Sequence, residues 1–213
     1  MNQVRHSNAA AKLAAASAFA CFVVVALMVV LAGALTPGYS HISQFISELG
    51  ARGAAHEWSV RFLGFLPAGV LLLSFCWFAH RSLPCSTPTT LALLGLAVYA
   101  AGYLVAAAFP CDLGCRPSKP SPSQLIHNAG GLLGYVLAPA FLFALARAAR
   151  AWPNATHLGA AGYATAGLAL LGLLTFSPTS PLAGLSQRLL EFAVLAWVLL
   201  CGRYLGKRGA GGA

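Results

Sequence analysis

Six blocks of apolar residues, each long enough to cross a bilayer, set the reading of this chain. Residues 13–35 come first, followed by 62–79, 91–109, 129–146, 158–176 and 189–205, and only the last block contains charged residues, Glu191 and Arg203. About 20 apolar residues wound as a helix cover the hydrocarbon core of a membrane. A helix satisfies its own backbone hydrogen bonds there, which open strands and loops do not. The pattern predicts an all-α fold, a polytopic transmembrane helical bundle with six spans. Residues 1–12 and 206–213 are expected as basic cytoplasmic tails, the first of them disordered. Ala32-Gly33-Ala34 resembles a signal cleavage site, but signal apolar regions run about 7–15 residues, so residues 13–35 are read as a retained span.

The polar positions between the blocks carry a second pattern. In Thr36–Trp58, the apolar residues Ile42, Phe45, Ile46 and Leu49 fall on one helical stripe, and His41, Ser43, Gln44, Ser47 and Glu48 fall opposite. Ser40 suits an N-cap and Gly50 a C′ position. A short amphipathic helix over 41–49 is predicted, lying on the outer face between spans one and two. Pro67 and Pro139 interrupt spans two and four. Gly130, Gly131 and Gly134 in span four, and Gly159, Gly162, Gly167 and Gly172 in span five, make small-residue surfaces. Such surfaces suit close helix contact, within the bundle or in a homo-oligomer.

Composition excludes a soluble domain, because 59% of the 213 residues are hydrophobic and 8% are charged. The net charge of +9 does not indicate nucleic acid, since the basic residues sit at the ends of apolar blocks rather than in a patch. They set orientation instead. Arg5, Lys12, Arg81, Arg147, Arg150, Arg203, Lys207 and Arg208 fall on one side, against Arg52, Arg61, Arg116, Lys119 and Arg188 on the other. The positive-inside rule then predicts N-in and C-in. All the acidic residues, Glu48, Glu57, Asp112 and Glu191, fall on or near the outer side.

These residues define an outer-face polar pocket. The ligand-binding candidates are His41, Glu48, Arg52, Arg61, Asp112, His127, Arg188 and Glu191. Glu191 is the sharpest, because a carboxylate one turn into a span must face the bundle interior and find a partner; Arg188, three residues earlier on the same face, is the nearest candidate, and Arg61 near the start of span two is another. Cys111 and Cys115 are a disulfide candidate. His41, His56 and His127 are the only candidates for a metal, which would be zinc, and their spacing does not call for one, so no cofactor is expected.

Pro37-Gly38-Tyr39 leading to Ile46-Ser47-Glu48-Leu49-Gly50, then Phe109-Pro110-Cys111-Asp112, then His127, form a pattern that resembles the prokaryotic six-helix integral membrane family of unknown function, domain of unknown function 998. The resemblance covers about residues 15–205. It implies a multipass protein of the cell membrane, in bacteria the inner membrane, with these motifs on one face. It implies no reaction. A looser comparison is with seven-helix membrane hydrolases that hold zinc through three histidines, an aspartate and a serine; this chain has six spans and lacks their paired late histidines.

The function expected from the sequence is binding of a lipid headgroup or other amphiphile, with Arg52, Arg61 and Arg188 facing an anionic head. One alternative is a membrane-embedded hydrolase with Glu48, Asp112 and His127 as catalytic candidates. Another is a small proton-coupled transporter built on Pro67, Pro139 and Glu191.

Overall fold

The computed structural model describes residues 2–210, with side chains for 8–209. It is all-helical. Six helices are long and apolar enough to span a membrane. They are α1 (Asn2–Leu35), α2 (Glu57–His80), α3 (Thr87–Ala108), α4 (Pro122–Ala149), α5 (Thr156–Thr175) and α6 (Ala183–Ala210). Each packs against its neighbours in sequence, and α6 returns to α1, closing a ring. Within its most apolar window α6 is 61% buried, against 39–44% for the others, so α6 is the innermost helix. It is also the helix that carries the intramembrane carboxylate.

The long connections 36–56, 109–121 and 176–182 gather at one end of the bundle, and the short turns 81–86 and 150–155 lie at the other. Trp58 and Trp77 are exposed near the two ends of α2, and guanidiniums lie over both indoles, Arg61 at 5.0 Å and Arg81 at 5.3 Å. The 19 residue steps from one to the other rise about 28 Å, close to the hydrocarbon thickness, as paired interfacial anchors require.

Several helices are longer than the apolar blocks. The helix begins at Asn2, so the described part of the expected N-terminal tail is helical, and α6 runs on through Ala210. Residues 211–213 of the expected C-terminal tail lie outside the described residues. Small side chains let these two helices pack closely. A Cβ added at Gly202 would lie 2.6 Å from the Ala18 Cβ, and one at Gly206 would lie 3.2 Å from that of Ala15, so α6 and α1 touch through their shortest residues. The segment 110–121, rich in Pro and Ser, leads into a helix that starts at Pro122. Ser121 is the N-cap, its hydroxyl accepting from Gln124 N, and Pro122 supplies the pre-set φ of a first helical position.

The predicted 41–49 helix contracts to one 3-10 turn, Ile46–Gly50. Ser40 does not cap a helix; its hydroxyl accepts from Ile42 N and Ser43 N, which closes a local turn instead. Ile42 stays exposed, while Phe45, Ile46 and Leu49 are buried. Pro67 does not break α2. A π-helical segment, Val60–Phe65, lies just before it, with Leu66 N–H donating to Arg61 O.

The glycine faces of α4 and α5 are used inside the bundle. A Cβ on Gly134 would sit 3.0 Å from the Tyr99 Cα, and one on Gly172 2.9 Å from both Leu190 N and Ser186 O. Gly167 meets nothing within 4 Å. We expect Gly134→Leu and Gly172→Leu to lower stability by about 1–3 kcal/mol or more through overpacking, and Gly167→Ala to leave it within about 0.5 kcal/mol of the parent. Thermal unfolding in mild detergent checks this; equal melting of all three variants would contradict the packing.

Candidate functional site

Glu191 lies in α6, eight residues after Ala183, so its carboxylate sits about 12 Å below the helix start. It is buried and forms no ion pair among the described residues. Three tyrosines solvate it. Tyr99 and Tyr103, one turn apart on α3, both donate to Oε2, Tyr103 at 2.6 Å. Tyr135 of α4 donates to Oε1 at 2.5 Å. Three O–H donors converging on one group is the arrangement a carboxylate needs, since it only accepts. Gln187, one turn earlier on α6, extends the network in both directions. Its Nε2 donates to the Tyr135 hydroxyl at 2.7 Å, and its Oε1 accepts from Ile46 N at 2.6 Å.

Above this floor is a cavity of about 360 Å³. Phe45, Ile46, Phe65, Leu132 and Phe176 form most of its walls, and His127 and Glu191 are its only ionisable residues apart from the three tyrosines. The rim residues Asn128, Leu132 and Pro178 are exposed, so the cavity opens sideways between α4 and the α5–α6 connection. His127 Nδ1 lies 3.0 Å from Phe109 O. A carbonyl only accepts, so Nδ1 carries the proton, and in the neutral ring Nε2 is left as an acceptor.

Of the predicted ligand residues, the structure brings only His127 and Glu191 to this cavity. Arg188 is not the partner of Glu191. Its NH1 donates to Gln44 O and Gly184 O, both at 2.9 Å, and its NH2 donates to Tyr39 Oη at 2.6 Å and His41 Nδ1 at 3.0 Å. It pins the 36–45 connection to α6. Nor is Arg61 a partner. Its Nε donates to Ala107 O at 2.9 Å and its NH1 pairs with Glu57 at 2.6 Å, so it caps the C-terminal carbonyls of α3. Glu48 accepts from Phe45 N at 2.9 Å and Gln44 Nε2 at 3.0 Å and lies 3.5 Å from Arg116. Asp112 accepts from Ser121 N at 2.9 Å and Ser121 Oγ at 2.7 Å, and these bonds, with Arg52 nearby, hold its carboxyl below the ordinary 3.8. Arg52 is exposed and bonds Cys111 O through its backbone N–H at 2.8 Å. His56 lies 3.3 Å from Leu35 O.

Cys111 and Cys115 are joined by a disulfide, and Cys115 reaches the cavity wall beside Ser47. His41, His56 and His127 have separate partners, and no cluster of three metal-ligating side chains occurs among the described residues.

Sequence reasoning did not single out Tyr99, Tyr103 and Tyr135 as site residues. Their signal was present. A tyrosine inside an apolar span needs a partner for its hydroxyl, Tyr99 and Tyr103 share a face at i,i+4, and Glu191 is the one carboxylate in any apolar block.

Protein comparisons add one finding. The chain matches the family described as "Protein of unknown function (DUF998)" over residues 15–204. That is most of its length, and the chain belongs to this family. No curated protein and no solved structure matches it.

Two outcomes follow from the geometry. Tyr135→Phe removes one donor from Glu191 and the acceptor of Gln187, so it should cost about 2–3 kcal/mol, more than Tyr103→Phe. Chemical denaturation in detergent, alone and combined with Glu191→Gln, checks this; additive losses in the double variant would contradict the coupling. Burial and the neighbouring Arg188 hold the exposed-edge His41 below its ordinary 6.5. The unfolded chain takes its proton at 6.5 and the folded chain at lower pH, so this contribution is complete above 6.5 and is lost as pH falls through the folded value. The melting temperature should drop between about pH 7 and pH 5, and His41→Gln should flatten that drop.

Proposed function

We propose that this DUF998 member is a binding protein of the membrane, taking the head and first methylenes of an amphiphile into the cavity beside Glu191. The observation that carries this reading is the cavity itself: apolar walls, a polar floor of fixed groups, and an opening rimmed by the exposed Asn128, Leu132 and Pro178. Its volume of about 360 Å³ lies at the small end of the range of ligand pockets, roughly 300–1,000 Å³. A whole lipid does not fit, so the remainder of the ligand would stay in the bilayer.

The arginine clamp for an anionic head, expected from sequence, has no support at this cavity. Arg61 and Arg188 are committed to backbone carbonyls, and Arg52, Arg61 and Arg188 are all absent from its lining. Glu48 and Asp112, the other catalytic candidates, accept local hydrogen bonds at chain turns and lie outside the lining too. The arrangement supports binding over a reaction.

Gly131 lines the cavity, and a Cβ there meets nothing within 4 Å. Gly131→Phe should therefore fill the cavity without strain. Native mass spectrometry of parent protein from mild detergent is expected to show a retained amphiphile that Gly131→Phe lacks. Identical spectra for the two proteins would remove this reading.

A further inference from the structure

The cavity floor has an unequal supply of hydrogen-bonding groups. Each of the three phenol protons is committed to Glu191. One proton of Gln187 Nε2 goes to Tyr135. The free capacity left on the floor is mostly lone pairs: those of Tyr99 and Tyr103 and the remaining carboxylate sites of Glu191. The charge is unequal as well. Glu191 is the one acidic group on the floor, its hydrogen bonds come from neutral donors, and no cation lines the cavity. The terminal nitrogens of Arg188 are engaged elsewhere. The walls add aromatic rings close around this floor. Tyr99 and Tyr103 centroids are 5.9 Å apart, Phe65 and Tyr103 6.2 Å, and Tyr135 and Phe176 5.5 Å. Ring faces attract cations, and most strongly where water is excluded.

A ligand head that complements this floor is positive and brings its own N–H donors. A phosphate or carboxylate head would meet acceptors and a like charge. A trimethylammonium head would satisfy the charge and the rings but leave the lone pairs unmet. We propose that the amphiphile bound beside Glu191 carries a protonated amine, with Glu191 as its counter-ion and Tyr99 and Tyr103 accepting from it. This rests on the amphiphile-binding reading and narrows it to one head-group class.

The test uses the full chain in phosphatidylcholine nanodiscs and four probes with the same tail: dodecylammonium, dodecyltrimethylammonium, dodecanol and dodecyl phosphate. Melting shifts and titrations give their relative affinities. Dodecylammonium should bind about tenfold or more tighter than each of the others, and Glu191→Gln should erase that preference. Equal or tighter binding of any other probe overturns the amine proposal, and so does a preference that survives Glu191→Gln; either result leaves the amphiphile reading standing. Should Glu191→Gln not fold, Gly131→Phe takes its place, and a dodecylammonium shift that persists in it overturns the proposal. No binding of any probe removes both readings. Adding phosphatidylethanolamine to the discs separates two sources of the amine. If the bilayer supplies it, that lipid is retained on purification and the dodecylammonium shift disappears; if a free amine is the ligand, the shift is unchanged.

Discussion

A carboxylate inside an apolar bundle must be surrounded by donors, and in this protein that requirement positions three helices. Glu191 on α6 takes two phenols from α3 and one from α4. An uncompensated charge at such depth costs several kcal/mol, so the tyrosines are a condition of the fold rather than an ornament of it. Tyrosine hydroxyls reach only a few ångströms past the ring, and the helices must come close for all three to arrive. Gly134 allows this, lying against the backbone of Tyr99 one residue before Tyr135. Gly172 lets α5 approach the turn of α6 that carries Ser186 and Leu190, next to Glu191.

The basic residues at the same end act in the complementary way. Arg61 satisfies the last carbonyls of α3, Arg188 fastens the 36–45 connection to α6, and Arg116 lies over the ring of Phe45. Each guanidinium holds a connection or a helix end in place. None neutralises Glu191, and the cavity is left with a single negative group. The loops are thus locked by positive charge around an interior that stays negative, and Gln187 links the two by bonding both Ile46 N and the Tyr135 hydroxyl.

The spans were legible because twenty apolar residues in lipid have one stable backbone form. The helix starts were less so. Ser121-Pro122 reads as loop by polarity but as N-cap and first helical residue by mechanism, and the second reading holds. The 41–49 stripe had the right period but too few residues to hold a helix; backbone bonds to α6 decide its path instead, with Gln187 taking Ile46 N and Arg188 taking Gln44 O. Glu191 was singled out correctly as a buried carboxylate needing a partner. Its partners were missed because pairing was sought among cations, Arg188 and Arg61. Arg188 is three residues away, yet its side chain turns toward the loop, while Tyr99 and Tyr103 arrive from another helix. Chemistry alone marked the tyrosines as needing acceptors; only the closed ring of helices brings them to one carboxylate.

That closure also bears on how selective the cavity can be. Its floor is assembled by bonds the protein makes for its own stability, so a ligand does not have to order it, and little affinity is lost in rearrangement. In the binding mode proposed above, the tail of the amphiphile would stay in the bilayer and change its surroundings little on binding. Discrimination between amphiphiles then falls on the head group, where desolvation is nearly complete and a mismatch leaves buried groups unmet. A floor of fixed acceptors around one carboxylate penalises an anionic head more than its apolar walls reward the chain attached to it. The buried charge that forces the helices together is thus the same group that would sort the ligands.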